Sequence, residues 1–109
     1  MYEILIVGGG PAGLTAAMYA ARAGKHVAVL ERGSTGGQII SAPLVENYPG
    51  IPSVSGTELA RQMTEQACTF GAEIVYTEAV GLEKTPAGFR VLCTDGVREA
   101  KTVILATGA

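Results

Sequence analysis

Residues 2–13 read YEILIVGGGPAG, and this stretch decides the fold. Its first half is a short apolar run rich in Ile and Val, which is typical of a buried strand. The glycines at positions 8, 10 and 13 fit the spacing G-x-G-x-x-G, and a helical pattern opens at Pro11. A second apolar run, residues 26–30, leads directly to Glu31, eighteen residues after the last of these glycines. This order of strand, glycine loop, helix, strand and acid predicts a βαβ unit that binds a dinucleotide.

Each position of the glycine loop has a physical role in such a unit. Gly8 permits the tight turn out of the strand, and Gly10 lets a pyrophosphate approach the backbone. Gly13 allows the helix to pack close to the sheet. Pro11 suits the first helical turn, where its missing N–H has no intrahelical partner to lose.

The start of the helix and the end of the second strand predict the ligand. Free N–H groups and the positive end of the helix dipole favour a phosphate. A carboxylate at Glu31 can accept hydrogen bonds from both ribose hydroxyls and would repel a 2′-phosphate. The expected ligand is therefore FAD or NAD and not NADP, and the alternative is a glycine-rich turn that binds nothing.

Composition limits the other functions. The chain has 109 residues, a net charge of −2 and no basic patch, which gives no support to a nucleic-acid or membrane-surface partner. No apolar run is long enough to span a bilayer, and no secretory signal opens the sequence. The expected location is cytoplasmic.

The remaining segments predict an α/β fold. The first helix should run from Pro11 to Ala23 and a second should start at Ser55, whose spacing to Glu58 fits a capping box. The apolar face of this second helix is predicted to consist of Leu59, Met63, Ala67 and Phe70. Residues 73–76 read as a third core strand. Residues 32–53 show no regular pattern apart from a single turn after Gly37, and a loop of that length is usually functional.

Three further strands are predicted after residue 77, at 79–85, 89–94 and 97–105. They are joined by Pro-Ala-Gly at 86–88 and by Asp95-Gly96, which is a hairpin signal. The last strand should return to the parallel sheet. The predicted fold is a Rossmann-type parallel sheet with flanking helices and an antiparallel β-meander.

A second set of motifs is more specific than the glycine loop. The chain contains GGQ at 36–38, VENYPG at 45–50 and VILATGA at 103–109. Together with residues 8–13, these motifs resemble the low-molecular-weight thioredoxin reductase family of the pyridine nucleotide-disulfide oxidoreductase superfamily. The resemblance covers nearly the whole chain and implies FAD as the cofactor.

The resemblance also implies roles for individual residues. The glycine loop would contact the pyrophosphate, and Glu31 and Arg32 would contact the ribose. Gln38 and Asn47 would lie along the ribityl chain and the flavin ring. The backbone near Ala79 would bind the adenine. The Ala-Thr-Gly segment would close over the cofactor. The full set of cofactor-binding candidates is Gly8, Gly10, Pro11, Ala12, Gly13, Glu31, Arg32, Gly37, Gln38, Asn47, Ala79, Ala106, Thr107 and Gly108.

In the family, the full protein passes hydride from NADPH to the flavin and electrons on to a dithiol and thioredoxin. The sequence has no second G-x-G-x-x-G and no C-x-x-C. It is therefore interpreted as the N-terminal part of the FAD domain, residues 1–109, without the NADPH domain and the returning segment that completes the flavin site. No catalytic residue is assigned, and disulfide reduction by this chain alone is not expected. The chain should bind the ADP half of FAD more tightly than the flavin half. Apolar surface exposed where the missing segments would pack is compatible with a homodimer.

Two other functions stay open at this stage. One is a related flavoenzyme that reduces ferredoxin or another carrier and has no dithiol, and the other is a non-enzymatic module that binds NAD or FAD. The two cysteines, Cys68 and Cys93, are predicted to be buried and inert. His26 is predicted to be a partly exposed loop residue, and no metal site is proposed.

Overall fold

A computed structural model describes residues 1–109. Two helices, a short 3₁₀ helix and six strands follow one another along the chain, and neither α-helix is long and apolar enough to cross a membrane. The elements are β1 (Tyr2–Val7), α1 (Pro11–Arg22), β2 (Val27–Glu31), the 3₁₀ helix (Gly37–Ser41), α2 (Gly56–Thr69), β3 (Glu73–Tyr76), β4 (Ala79–Thr85), β5 (Gly88–Cys93) and β6 (Gly96–Leu105).

The six strands form one sheet in the order β3-β2-β1-β6-β5-β4. Strand β1 pairs in parallel with β2 and with the second half of β6, and β2 pairs in parallel with β3. Strand β5 pairs antiparallel with β4 and with the first half of β6. The pairing changes at Ala100, which is opposite both Tyr2 of β1 and Phe89 of β5. The predicted parallel sheet and meander are confirmed, and one long strand joins them.

The parallel sheet is covered on both faces. Successive residues of a strand point to opposite sides, and both sets of side chains are buried. Ile6 and Val29 are fully buried in a cluster with Ala17 of helix α1. Their neighbours Leu5 and Ala28 are fully buried in a second cluster that includes Val91 of the meander. The domain therefore has three layers, with the helices on one face of the parallel sheet and the meander on the other.

Helix α1 lies unusually close to the sheet. A Cβ atom added at Gly13 would lie 1.9 Å from the carbonyl oxygen of Gly8, so only glycine fits. The helix ends one residue before the predicted Ala23, and Gly24 takes a positive φ of 79° immediately afterwards. Such a residue lets the chain leave the helix without steric cost.

Helix α2 begins as predicted, but only half of its capping box forms. The Ser55 hydroxyl accepts a hydrogen bond from the Glu58 N–H at 3.1 Å. The Glu58 carboxylate does not return this bond, because it accepts from the guanidinium of Arg61, with Nε at 2.8 Å. That hydrogen bond lowers the pKa of the Glu58 carboxyl to about 2.

The long connection between β2 and α2 is ordered by glycines. The single turn predicted after Gly37 is the 3₁₀ helix. Gly36, with φ of 109°, packs so tightly on α2 that an added Cβ would lie 2.5 Å from the Cβ of Ala60. Further along, the Ile51 N–H donates to the Tyr48 carbonyl across a turn whose Gly50 has φ of 94°, as a type II turn with proline before glycine requires.

Four details of the prediction were wrong. Strand β3 is an edge strand, because β2 is its only partner in the sheet order. The β5–β6 turn is displaced by one residue, since Cys93 pairs with Gly96 and the turn residues are 94 and 95. Cys68 is exposed rather than buried, while Cys93 is partly buried. Phe70, predicted to lie on the buried face of α2, is 44% exposed and packs under the Arg22 guanidinium, 5.5 Å from the ring centre.

The β5–β6 turn carries an ion pair in which two hydrogen bonds join the side chains. Arg98 donates from both terminal nitrogens to the two carboxylate oxygens of Asp95, at 2.8 and 3.1 Å. The buried hydroxyl of Thr77 donates to the same carboxylate at 2.6 Å. The Arg98 guanidinium and the Thr77 hydroxyl together hold the pKa of the Asp95 carboxyl well below its usual range.

Replacing Gly13 by alanine should destabilise the domain. In an ordinary helix the change would be favourable by about 1 kcal/mol. Here the new methyl group would overlap the Gly8 carbonyl, and overpacking of this kind costs about 1–3 kcal/mol. Urea unfolding should show a lower midpoint for Gly13→Ala. Gly10→Ala is the matched control, because its Cβ would meet nothing closer than 3.8 Å, and an equal loss in both variants would contradict the argument.

Acid should remove the contribution of Asp95 to stability. Because its folded pKa lies below that of the unfolded chain, the contribution is complete above about pH 4 and is lost as the pH falls through the folded pKa. Asp95→Asn should therefore lower the melting temperature at pH 7, and its difference from wild type should shrink below about pH 4. Glu83→Gln, at the exposed pair with Arg90, serves as the control. A difference in melting temperature between wild type and Asp95→Asn that does not change with pH would show that the Asp95 charge is not the cause.

Candidate functional site

The glycine loop lies where β1 ends and α1 begins. Gly8 takes φ of 110°, and a Cβ there would lie 2.0 Å from the carbonyl oxygen of Ala106. The N–H of Ala106 donates to the Val7 carbonyl at 2.8 Å, and the Gly8 N–H donates to the Leu30 carbonyl at 2.9 Å. The carboxyl ends of β1, β2 and β6 therefore meet at this loop, which is where open α/β sheets bind ligands.

The first turn of α1 presents unpaired backbone donors at the same edge. The first amide to find an acceptor in the helix is that of Leu14, which donates to the Gly10 carbonyl at 2.9 Å. The N–H groups of Ala12 and Gly13 have no partner within the helix. No side chain caps this end, no acid lies in the first turn, and Pro11 occupies its first position. No acid of the helix itself offsets the positive potential of this end, which suits an anion.

The carboxylate of Glu31 is fixed beside this end by two backbone amides. Its Oε1 accepts from the Gly9 N–H at 2.9 Å, and its Oε2 accepts from the Gly33 N–H at 2.7 Å. The side chain is half-buried. Each carboxylate oxygen keeps acceptor capacity for one more hydrogen bond, so Glu31 is oriented to receive a pair of adjacent hydroxyl groups.

Two other segments close on the glycine loop. The Gly36 N–H donates to the Gly9 carbonyl at 2.7 Å, and Gly37 packs so close that an added Cβ would lie 3.2 Å from the Cα of Gly10. On the other side of the loop, a Cβ added at Gly8 would lie 3.2 Å from the Cα of Thr107. The structure therefore brings together the predicted glycine loop, Glu31, Gly37 and the Ala-Thr-Gly segment that ends with Gly108.

Ala79 lies at the start of β4, and its backbone N–H and C=O point away from the neighbouring strand β5. The N–H of Thr94 donates to the Glu78 carbonyl at 2.9 Å, which makes Ala79 and Cys93 a pair without direct hydrogen bonds. The N–H and C=O of Ala79 consequently point away from β5. Strand β4 is the last of the sheet, so no other strand pairs with these groups.

Arg32 extends across the gap between the ends of β2 and β4. Its guanidinium Nη1 lies 3.8 Å from Oε2 of Glu78, and its side chain is 79% exposed. Such an exposed pair contributes little to stability. Arg32 thus borders the site without being fixed in it.

Gln38 and Asn47 are not brought onto the glycine loop. Both are exposed in the long connection, where the backbone carbonyl of Gln38 accepts a hydrogen bond from the Ser41 hydroxyl at 2.8 Å. Asn47 precedes the type II turn at 48–51. These two side chains have no fixed partner at the site.

Sequence reasoning missed four residues that build the site. Gly9 and Gly33 supply the amides that orient Glu31, and Gly36 ties the long connection to the glycine loop. Thr77 is the single buried polar side chain, and its N–H donates to the Glu31 carbonyl at 3.0 Å. The run of three glycines and the Gly36-Gly37 pair were visible signals of close backbone approach, but nothing in the sequence singled out Thr77.

A separate depression of about 490 Å³ lies between the long connection and α2. Hydroxyl side chains and the Arg61–Glu65 ion pair line it. It contains no pairing of a nucleophile with a base, and it does not include the glycine loop. The chemistry that the structure supports is therefore recognition at the glycine loop, by backbone donors and one fixed carboxylate.

Comparison with known proteins identifies relatives of the whole chain. Residues 2–109 match the family described as pyridine nucleotide-disulphide oxidoreductase. The chain is 44% identical over 109 residues to a thioredoxin reductase from Treponema pallidum, an alignment that covers 99% of this chain and 36% of that protein.

Solved structures agree with this match. A thioredoxin reductase from Streptococcus pyogenes has a TM-score of 0.96 and 48% identity, covering 100% of this chain and 36% of that one. A ferredoxin-flavin thioredoxin reductase from Clostridium acetobutylicum has a TM-score of 0.90 and 31% identity, covering 99% and 38%. The chain spans about a third of the length of these relatives. The predicted resemblance to thioredoxin reductases is confirmed, and the chain belongs to the pyridine nucleotide-disulphide oxidoreductase family.

Proposed function

We propose that this chain binds FAD and forms part of the flavin domain of a thioredoxin reductase-like protein. One observation carries the proposal: the Glu31 carboxylate is oriented by the amides of Gly9 and Gly33 directly beside the open amide end of α1. In this position the carboxylate would accept from two ribose hydroxyls, while the amides at the start of α1 would donate to a phosphate. Family membership implies flavin use, and the fixed carboxylate favours an adenosine ribose without a 2′-phosphate.

The residues at the glycine loop fit a pyrophosphate. Gly10 has φ of −77°, and the space where its Cβ would lie is open except for Gly37 at 3.8 Å. A phosphate could therefore approach the backbone here and accept from the amides of Ala12 and Gly13. Thr107 and Gly108 would close over the pyrophosphate from the β6 side, next to Ala106.

The adenine and flavin ends of the ligand would lie in opposite directions from this point. The outward N–H and C=O of Ala79 offer a donor and an acceptor side by side, which matches N1 and N6 of adenine. Arg32 would border the ribose. Gln38 and Asn47 would lie along the ribityl chain and flavin ring, where the loop supplies amide groups.

The bound flavin would supply the redox chemistry, accepting hydride from NADPH in the full-length protein and passing electrons to a dithiol. The residues of this chain would bind and orient the cofactor. Residues 1–109 contain no acid, base or nucleophile that we assign to the reaction, so we expect no disulfide reduction by the chain alone. Thioredoxin is the proposed electron acceptor of the full-length protein, with the cytoplasm as its location and a homodimer as its assembly.

A second candidate is a flavoenzyme that receives electrons from ferredoxin. The likeness to the ferredoxin-flavin thioredoxin reductase supports it, at lower identity than the likeness to the thioredoxin reductase of Streptococcus pyogenes. A non-enzymatic NAD module fits less well, because it requires neither the Ala-Thr-Gly segment nor the ordered Gly36-Gly37 contact. Reduction of the full-length protein with NADPH and with reduced ferredoxin would separate the first two functions.

Titration of the purified chain with FAD and with NAD tests the proposal directly. FAD should bind more tightly, with quenching of flavin fluorescence and a shift of its visible bands. Gly10→Ala should weaken FAD binding without loss of stability, because its methyl group would occupy the space of the phosphate. Tighter binding of NAD than FAD would overturn the proposal. FAD binding unchanged by Gly10→Ala would exclude the pyrophosphate from this loop.

Replacing Glu31 by glutamine should weaken binding and reduce selectivity. Hydrogen bonds to a charged group are worth about 1.5–3 kcal/mol and less where solvent reaches them, so we expect about tenfold weaker FAD binding. The preference of the chain for ADP over ADP with a 2′-phosphate should also narrow. Calorimetry with both nucleotides measures this, with Glu46→Gln in the exposed loop as the control. An unchanged preference would show that Glu31 does not face the ribose.

A further inference from the structure

The short connection between β3 and β4 joins the two halves of the proposed adenosine site. It consists of Thr77 and Glu78, which follow Tyr76 and precede Ala79. At one end, the Thr77 N–H donates to the carbonyl oxygen of Glu31 at 3.0 Å. At the other end, the outward backbone groups of Ala79 begin β4. The position of this connection therefore sets the distance between the ribose carboxylate and the adenine contact.

The connection is held from the meander side by a polar network. Thr77 is only 7% exposed, and its hydroxyl donates to Oδ1 of Asp95 at 2.6 Å. Arg98 donates twice to the same carboxylate and is itself largely covered, with 22% of its side chain exposed. The N–H of Thr94 fixes the Glu78 carbonyl at 2.9 Å.

A buried hydroxyl group requires a hydrogen-bond partner, whereas an apolar side chain does not. Thr77 is the single buried polar side chain of the chain, and a valine of the same shape would fill its place without needing a partner. The Thr77 hydroxyl instead donates to Asp95 in the β5–β6 turn, eighteen residues away. This bond lies between Glu31 and Ala79, the two ends of the proposed adenosine site.

We propose that Thr77 and Asp95 are positioning residues for adenine recognition, which act by holding the backbone of Ala79 in place. The inference rests on the proposed binding of FAD. Arg98 holds Asp95, Asp95 holds Thr77, and Thr77 fixes the chain between Glu31 and Ala79. Neither Thr77 nor Asp95 touches the nucleotide in this arrangement.

The preference of the chain for adenine over hypoxanthine nucleotides measures this positioning role. Adenine presents an acceptor at N1 and a donor at N6, which the N–H and C=O of Ala79 complement. Hypoxanthine presents a donor at N1 and an acceptor at O6, so it cannot make the same pair of bonds. The ratio of the affinities for ADP and IDP therefore reports on the Ala79 backbone alone, since both nucleotides share the ribose and pyrophosphate.

The experiment compares ADP and IDP binding by calorimetry in the full chain and its variants. Wild type should prefer ADP. Thr77→Val should reduce this preference by about three- to tenfold, the worth of one ordinary hydrogen bond, while IDP affinity stays near that of wild type. Thr77→Ser should restore the preference, and Asp95→Ala should reproduce the loss. Thr102→Val, which removes a hydroxyl bond to the Glu3 carbonyl, and Glu83→Ala are the controls.

The outcomes separate this inference from the proposed function. No ADP binding by the wild-type chain would overturn FAD binding and this inference with it. Binding of ADP with no preference over IDP would remove the adenine contact at Ala79. A preference that Thr77→Val and Asp95→Ala leave unchanged would overturn the positioning role alone, as would an equal loss of ADP and IDP affinity. If Thr77→Val fails to fold, the exposed Asp95→Ala variant decides the result.

Discussion

The backbone of helix α1 lies against the end of strand β1, and the rest of the structure depends on this contact. It exists because Gly13 has no side chain to separate the helix from the Gly8 carbonyl. The same residue, Gly8, lies with equal closeness against the Ala106 carbonyl at the end of β6. Two glycines thus bring one helix and two strand ends to a single point. A side chain at either glycine would force the helix or β6 away from β1.

This constraint makes folding and recognition depend on the same atoms. The amides of Gly9 and Gly33 orient Glu31, and the Gly9 carbonyl receives the Gly36 N–H that anchors the long connection. Most changes in this region would therefore disturb stability and binding together. Gly10 is the exception, because its backbone is unstrained and the space beside it is open. A side chain at this one position would meet the proposed ligand without displacing another part of the fold.

The βαβ unit could be predicted from the sequence because its signals are local. Short apolar runs indicated the strands, and the spacing of the glycines indicated the turn and the helix. The contacts that could not be predicted are those between residues far apart in the sequence. Gly56, for example, carries no local sign that an added Cβ would lie 1.6 Å from the Ile39 carbonyl. The edge position of β3 and the exposure of Cys68 likewise depend on what packs beside them.

The structure also separates the two halves of the proposed cofactor site. On the adenosine side, the carboxylate of Glu31 and the backbone around Ala79 are held by hydrogen bonds that cross between β2, the β3–β4 connection and the β5–β6 turn. On the flavin side, Gln38 and Asn47 are exposed and have no partner at the glycine loop. Preorganised groups bind with less loss of conformational entropy than mobile ones. Within residues 1–109, the proposed adenosine end is therefore preorganised by these hydrogen bonds, and the proposed flavin end is not.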